Sequence, residues 1–483
     1  MHGFLLCDTA APAASWNGRL NAPSPMQLRT PIAEQRQLVS DGHTRPLAWR
    51  LEQLDRLARS IDAHEAEVFA ALASDLAKPD VEAYFELVAV RQEIALVRRR
   101  LRQWMAPRRV GVPLSLLPGR AEVISEPLGC VLVIGPWNYP FLLSLQPLVS
   151  ALAAGNTAVL KPSEHAPATA RLIATLIEAA FEPTTAQVVQ GDGSVAAALL
   201  QERFDHIFFT GGERVGRLVM AAAAQHLTPV TLELGGKSPA VVLADADLEV
   251  TARRLLWGKA INAGQTCIAP DYLLVQRGIA AELIQRLGQR IRQGFGEEPL
   301  QSPDLSSIVN GAQFQRLEQL LQTARSRGQV LVGGQSDPQR RRIAPTLLRV
   351  EGFDDPLMAE ELFGPLLPVL EVDDLEQAIG LINSRPKPLA LYLFSRSAAA
   401  QRRLLERTSS GGVCLNDVVM QASVPELPFG GVGASGMGSY HGEAGFQTFS
   451  HRRSVLRRPF ELDVPFRYPP YAGRLPLMRW LLR

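Results

Sequence analysis

The stretch that decides the fold starts with Val131-Leu-Val-Ile134, passes through Gly135-Pro-Trp-Asn-Tyr-Pro140 and a helical segment at 141–153, and ends with Ala158-Val-Leu160. Two short apolar runs that flank a helix are typical of a β-α-β unit, in which the two strands lie parallel. Strands of a parallel sheet are buried on both faces, so their sequences are apolar throughout and do not alternate. We therefore expect a parallel sheet covered by helices.

The same alternation continues along the chain. Further β-rich runs lie at 187–189, 206–209 and 230–232, with helical stretches at 167–180 and 215–225. A second set begins near Pro239, with strands at 240–243, 272–275 and 389–394 and helices near 248–262, 280–293, 311–326 and 374–383. Strands that alternate with helices predict two α/β domains. In such sheets ligands bind beyond the carboxyl ends of the strands, so the turns there are the places to look for chemistry.

The remaining segments differ in character. Residues 1–25 are rich in Ala, Pro, Ser and Asn and are predicted to be a flexible N-terminal extension. Residues 32–104 have helical periodicity, and the apolar stripe of Leu51, Leu54 and Leu57 is one example. The segments 109–127 and 447–457 contain extended stretches.

Composition excludes several classes of protein. The 483 residues favour two or three domains, and 46% hydrophobic with 20% charged residues is a globular composition. A net charge of +2 does not call for a nucleic-acid partner. Four cysteines at 7, 130, 267 and 414 form no disulfide framework, and no run approaches the roughly 18–20 apolar residues of a membrane span. Without a basic leader at the N-terminus, we expect a cytoplasmic protein.

Three side chains could carry chemistry. Cys267, in a loop between a helix and a strand, could be a nucleophile, although a buried structural cysteine is the alternative. Glu233, at the end of a strand, could be a general base with a pKa raised by burial, or could be neutralised by a nearby Lys. Asn138 could donate to an oxyanion or form turn hydrogen bonds.

The cofactor motifs are individually weak. Phe209-Thr-Gly-Gly-Glu-Arg-Val-Gly216 follows a strand and opens a helix, a context that suits an anion. It matches neither G-x-G-x-x-G nor a Walker A loop, so close packing of a helix on a strand is the alternative. Lys161 and Glu164 could bind ribose hydroxyls or belong to a capped helix start. The scattered histidines include no HExxH, and we expect no metal.

Taken together, the motifs resemble the aldehyde dehydrogenase superfamily. The matching segments, in the family's order and spacing, are 136–140, 161–164, 209–216, 233–239, 264–267 and 360–365. Four more segments resemble its class 3, or fatty-aldehyde, branch: 262–271, 427–436, 440–451 and 467–471. The resemblance covers roughly residues 30 to 460.

The resemblance implies the aldehyde dehydrogenase fold, which is α/β. A Rossmann-like NAD(P) domain would comprise 26–108 and 128–232, and an α/β catalytic domain 233–446. A β oligomerisation arm would comprise 109–127 and 447–457, a C-terminal tail would follow at 458–483, and the assembly would be a homodimer.

The resemblance also implies roles for individual residues. Cys267 would attack the aldehyde, Asn138 and the Cys267 N–H would hold the oxyanion, and Glu233 would activate the water that hydrolyses a thioester. The implied cofactor-binding residues are Trp137, Lys161, Glu164, Gly211, Gly212, Val215, Gly216, Glu361 and Phe363. The implied substrate contacts are Tyr139, Trp257, Ile261 and His441.

Two features distinguish this chain. Gly212 stands where the family often has Ser or Asn, which removes a contact to the cofactor's pyrophosphate. Glu164 would repel a 2′-phosphate and favours NAD, whereas Lys161 favours NADP. The alternative functions are a CoA-acylating aldehyde dehydrogenase (or acyl reductase) on the same fold and a non-catalytic structural relative.

The tail forms a basic, apolar segment. Leu475, Leu477, Met478, Trp480, Leu481 and Leu482 lie among Arg474, Arg479 and Arg483. This pattern predicts contact with a membrane surface or a gate over a substrate channel, with packing on the dimer partner as the alternative.

Overall fold

The computed structural model describes residues 25–113, 116–461, 463 and 467–481. The extension predicted at 1–25 lies outside the described residues except for Pro25, which begins the first helix. The helices are α1 (Pro25–Ser40), α2 (Leu47–Ala63), α3 (Glu65–Leu76), α4 (Asp80–Trp104), α5 (Leu142–Ala154), α6 (Pro167–Ala180), α7 (Gly193–Leu200), α8 (Glu213–Gln225), α9 (Leu248–Ala260), α10 (Ala280–Phe295), α11 (Gly311–Ser326), α12 (Pro356–Ala359), α13 (Leu375–Asn383), α14 (Ala398–Arg407), α15 (Gly442–Thr448) and α16 (Leu475–Leu481).

The strands are β1 (Arg108–Val110), β2 (Arg120–Pro127), β3 (Cys130–Ile134), β4 (Thr157–Lys161), β5 (Ala186–Val188), β6 (His206–Thr210), β7 (Val230–Glu233), β8 (Pro239–Val242), β9 (Tyr272–Gln276), β10 (Val330–Val332), β11 (Ser336–Asp337), β12 (Arg342–Ile343), β13 (Thr346–Arg349), β14 (Leu366–Val372), β15 (Ala390–Phe394), β16 (Gly412–Leu415), β17 (Gly436–Met437) and β18 (Ser450–Arg457). Together with the helices, they confirm the predicted α/β class.

The first large sheet has six strands in the order β17-β7-β6-β3-β4-β5. The five strands from β3 to β7 are parallel, and Ile134 at the end of β3 pairs with Lys161 at the end of β4. Helices α2 to α6 contribute apolar side chains to one core of this sheet. Because the strands are parallel, the turns that carry Asn138, Lys161, Gly212 and Glu233 follow the same edge of the sheet.

The second large sheet has seven strands in the order β10-β13-β14-β9-β8-β15-β16, all parallel except β10. Cys267 lies between α9 and β9, in a loop that a hydrogen bond from Asn138 to Gln265 joins to the turn after β3 of the first sheet. Apolar side chains of this sheet form two further cores.

The arm is a small antiparallel sheet in the order β1-β2-β18. Its strands pair residues 120–127 with 450–457, which are the segments predicted to be extended. The sequence places residues up to 446 in the catalytic domain, but β17 pairs with β7 of the first sheet, and Tyr440 and Phe446 lie in the first sheet's core. The chain therefore returns to the first sheet before it forms the arm.

Candidate active site

The loop that leads to Cys267 has an unusual backbone. Asn262, Ala263 and Gly264 all have positive φ angles, of 51°, 52° and 74°. A Cβ atom on Gly264 would lie 2.3 Å from the carbonyl oxygen of Gly364, so glycine is required there. The Gln265 side chain donates to the carbonyls of Asn262 and Ser307, each at 3.0 Å. The loop is strained and held by buried hydrogen bonds, which is typical of functional sites.

The Cys267 side chain is half-buried. Burial above all, together with the carboxyl groups of Glu361 and Glu233, raises the pKa of its thiol to about 12, and the backbone N–H groups of Cys267 and Ile268 oppose the shift. The resting thiol is therefore neutral at pH 7, and a nucleophilic role requires a base that removes its proton.

Glu233 is a candidate for this base. It ends β7 and is buried, and both of its carboxylate oxygens lack a hydrogen-bond partner among the described residues. Burial raises the pKa of its carboxyl well above the usual range. A buried carboxyl without partners is costly, so its presence here points to a partner that arrives with the substrate.

Asn138 lies in the turn between β3 and α5 and is tied to the loop of Cys267. Its Nδ2 donates to the carbonyl of Gln265 at 3.0 Å, and its own carbonyl accepts from Asn262 Nδ2 at 2.7 Å. The next residue, Tyr139, is 2.7 Å from the hydroxyl of Thr266. These hydrogen bonds therefore join the turn of Asn138 and the loop that leads to Cys267 into one unit.

Residues from α4 and from the turn before it support this unit, and the sequence prediction did not include them. Glu82 accepts a hydrogen bond from the Asn262 N–H at 2.9 Å, and Lys78 forms a buried ion pair with Glu86. The acidic residues at 82 and 86 share one face of the helix, but this spacing is common on helices and does not by itself indicate a site.

Glu361 and Phe363 follow α12 and approach the first sheet. Glu361 lies against Gly235, where a Cβ atom would be 1.9 Å from its Oε2. Burial and the neighbouring Asp271 raise the pKa of Glu361 to about 8. Phe363 has a positive φ of 48° and packs edge-on against Trp137, with ring centroids 5.3 Å apart. Trp137 and Phe363 are therefore in contact, and Glu361 lies against the residue that follows Leu234.

The turn before α8 fits a cofactor pyrophosphate. Helix α8 follows Gly212 and has no side-chain cap, and the space above Gly212 is open. Gly211 donates to the carbonyl of Glu233 at 3.0 Å, Gly216 packs against Leu234, and Val215 is exposed. An uncapped helix N-terminus offers free N–H groups and a positive dipole end to an anion.

The Lys161 and Glu164 side chains form an ion pair of 2.6 Å after β4. Lys161 is buried and Glu164 is exposed, so the pair presents one donor and one acceptor to a ribose. A 2′-phosphate at this point would meet the Glu164 carboxylate directly.

The predicted substrate contacts lie in different surroundings. Trp257 and Ile261 line a cavity of about 520 Å³ together with Phe85, Leu256 and Phe295. His441 is buried and stacks on Phe429 at 5.3 Å, and burial lowers the pKa of its imidazole to about 4. His441 is therefore neutral at pH 7.

In the described part of the chain no group of three or more His, Cys, Asp or Glu side chains could hold a metal ion.

The chain belongs to the aldehyde dehydrogenase family, because the model of the "Aldehyde dehydrogenase family" matches residues 25–455. It is therefore an oxidoreductase. A solved structure described as the substrate-bound state of Staphylococcus aureus AldH has a TM-score of 0.92 and 41% identity, and the match covers 94% of this chain and 99% of that one.

Within the family the chain resembles class 3 members. It is 45% identical to aldehyde dehydrogenase family 3 member H1 of Arabidopsis thaliana, over 93% of this chain and 94% of the relative. It is 46% identical to the rat "Aldehyde dehydrogenase, dimeric NADP-preferring", over 92% and 98%. These matches confirm the class 3 resemblance that the sequence motifs predicted.

Proposed function

We propose that this enzyme oxidises medium- or long-chain aliphatic or aromatic aldehydes to carboxylic acids with NAD(P), using Cys267 as nucleophile and Glu233 as base. The observation that carries the proposal is the carboxyl group of Glu233, which is buried, has no hydrogen-bond partner among the described residues and acts electrostatically on the half-buried thiol of Cys267. A carboxylate with a raised pKa is a stronger base, and the thiol beside it needs one.

The steps follow from the positions of the side chains. The Glu233 carboxylate takes the Cys267 proton, and the sulfur attacks the carbonyl carbon to form a thiohemiacetal. Asn138 Nδ2 and the Cys267 N–H stabilise the oxyanion, at about 3 kcal/mol for each such donor. NAD(P), when bound, would supply the hydride acceptor for oxidation of the thiohemiacetal to the thioester. Glu233 releases the first proton to solvent and then takes a proton from water, whose oxygen attacks the thioester. The carboxylic acid leaves, and the Cys267 thiolate regains a proton from Glu233.

The proposed substrate class rests on the cavity beside the catalytic loop. Its walls include Phe85, Trp257 and Ile261, which are apolar or aromatic, and Ile261 begins the turn that leads to Cys267. Apolar walls favour aldehydes with an apolar body. A kinetic series over aldehyde chain length would test this: we expect kcat/KM to rise with chain length, and a preference for the shortest aldehydes would contradict it.

For the cofactor we propose NAD over NADP. Glu164 already neutralises Lys161 at 2.6 Å, so a 2′-phosphate would have to displace a carboxylate to reach the ammonium group. The uncapped start of α8 would bind the pyrophosphate, and Glu361, Phe363 and Trp137 would hold the nicotinamide half.

We also propose that the enzyme is a homodimer, in which the first sheet belongs to the cofactor domain, the second sheet to the catalytic domain and strands β1, β2 and β18 to the oligomerisation arm. Helix α8 exposes Leu218 and Met220, and Leu227 follows it, at 58%, 48% and 91% exposure. Such an apolar surface is typical of a subunit contact. Light scattering should give twice the 52.7 kDa chain mass, and a monomer at micromolar concentration would contradict the proposal.

The tail is the candidate for membrane contact. In α16, Leu475 and Trp480 are exposed, at 59% and 76%. No helix in the described ranges is long and apolar enough to cross a membrane, so any contact here would be peripheral. If a chain that ends at Arg458 kept both its partition to anionic vesicles and its chain-length preference, the membrane and gating roles would be wrong.

Because a catalytic thiol needs reducing surroundings, we propose that the enzyme is located in the cytoplasm.

A product assay with and without CoA tests the proposed reaction. We expect free acid and NADH in equal amounts without CoA, because the proposed role of Glu233 is to activate water. Acid that appears only as a CoA thioester would instead support the CoA-acylating alternative. An absence of NADH with every aldehyde of a broad panel would favour the non-catalytic relative.

A further inference from the structure

A buried ion pair lies next to the active-site loops and has no part in the steps above. Lys78 precedes α4 and Glu86 lies in its second turn, and both side chains are fully buried, with Nζ and Oε1 2.5 Å apart. Removing two charges from water costs free energy, and their mutual attraction often does not compensate for that cost. Stability alone is therefore a weak reason for this pair.

The Glu86 end of the pair fixes the start of α5. Its Oε2 accepts hydrogen bonds from the N–H groups of Phe141 at 3.1 Å and Leu142 at 3.0 Å. Helix α5 has no side-chain cap of its own, so Glu86 satisfies donors that would otherwise be buried without partners. Asn138 lies four residues before Leu142, so its position depends on this anchor.

The Lys78 end holds Asn138 and its neighbour. Lys78 Nζ donates to the carbonyl of Asn138 at 3.3 Å and lies 4.2 Å from the ring centroid of Tyr139. The same carbonyl accepts from Asn262, whose N–H donates to Glu82, one turn before Glu86. Helix α4 thus anchors the loop of Asn138 and the loop of Cys267 at once.

We infer that the Lys78–Glu86 ion pair positions the Asn138 amide for oxyanion binding, an inference that rests on the function proposed above. Within the described ranges, the side-chain hydrogen bonds that leave the pair end on Asn138, Phe141 and Leu142. An oxyanion donor accelerates a reaction when it is fixed before charge develops. Loosening the pair should therefore weaken binding of the transition state more than binding of the aldehyde.

The test compares Glu86→Gln and Lys78→Met with Asp75→Asn. Asp75 is the matched control, because it is a buried carboxylate that caps a different helix, α6, through Ala168 N–H at 3.0 Å and Thr169 N–H at 2.8 Å. At saturating cofactor we expect each of the two pair variants to lower kcat about 100-fold, with the aldehyde KM changed less than about threefold. Asp75→Asn should keep kcat within about twofold of the unmodified enzyme.

A second readout separates positioning from a general disturbance. Alkylation of Cys267 by iodoacetamide, followed by mass spectrometry, needs no oxyanion donor, so its rate should stay within about twofold in Glu86→Gln. The double variant should be no slower than the slower single one, because the two residues act as a unit.

Three results would overturn the inference alone: wild-type kcat in Glu86→Gln, alkylation that falls in step with kcat, or a kcat loss in Asp75→Asn equal to that in Glu86→Gln, which would leave the pair only a structural role. An unmodified enzyme that forms no NADH would overturn the proposed function, and the inference with it.

Discussion

The loop before Cys267 and the turn before α8 are built in opposite ways. The first is buried, has three successive residues with positive φ, and is held by side-chain hydrogen bonds from Gln265. The second is exposed, has no side-chain cap and leaves open space above Gly212. Covalent chemistry on a substrate needs atoms held rigidly, whereas an anion needs only free N–H groups. The same residue change should therefore have unequal effects in the two loops.

The largest effect should come from removing the nucleophile. Cys267→Ala should abolish NADH formation, with a loss of at least about 10⁴-fold, because the remaining groups can bind the aldehyde but cannot form a covalent intermediate. The thermal midpoint should change little, because the side chain is only half-buried. Steady-state NADH fluorescence measures the first quantity and calorimetry the second. Residual activity above a hundredth of wild type would mean that another group attacks the aldehyde.

The next largest effect should come from Gly264→Ser. A Cβ atom there would meet the Gly364 carbonyl at 2.3 Å, and the φ of 74° disfavours any side chain. We expect the fold to lose about 1–3 kcal/mol of stability and kcat to fall at least tenfold, because Cys267 shifts with the loop. A thermal melt and kcat at saturating substrates measure both. Wild-type values for both would show that this loop is not rigid.

Glu164→Gln should have a smaller effect, confined to the cofactor. Loss of the carboxylate frees Lys161 and removes a charge that would face a 2′-phosphate. We expect kcat/KM for NADP to rise about tenfold, or about 1.4 kcal/mol, with little change for NAD. Initial rates with each cofactor give the ratio. An unchanged ratio would place the 2′ position away from Glu164.

The smallest effect should come from Gly212→Ser, the same change as at Gly264. The added atoms meet nothing within 4 Å, so the fold should keep its thermal midpoint. A serine hydroxyl could donate to the pyrophosphate, and we expect KM for NAD to fall about threefold. A loss of stability comparable to that of Gly264→Ser would remove the contrast between the two loops.

The sequence alone predicted much of the first sheet but less of the second. Strands β3 and β6 are continuous apolar runs bounded by turns, and such runs are recognisable without any partner. Strand β14 (Leu366–Val372) was not predicted, because Pro368 lies inside it and a proline usually argues against a central strand. Strand β17 has only two residues and depends on its partner β7.

The candidate site also contains residues that the sequence predicted and residues that it did not. Cys267, Glu233 and Asn138 were found because they lie in short motifs with a chemical reason for each residue. Lys78 and Glu86 were not found, because their partners lie more than 50 residues along the chain and α4 otherwise has the pattern of an ordinary amphipathic helix. The burial of a carboxylate against a distant helix end is a tertiary property, and local spacing does not reveal it.

The most direct test of the central claim, that Glu233 serves the thiol of Cys267, is mass spectrometry of Glu233→Gln after mixing with NAD and an aldehyde. We predict that Cys267 stays unacylated, because the amide cannot take the proton of a thiol that is neutral at pH 7. Steady-state turnover should fall by about 10²–10⁴-fold. Turnover at the wild-type rate, or an acyl adduct that accumulates on Cys267, would contradict the account.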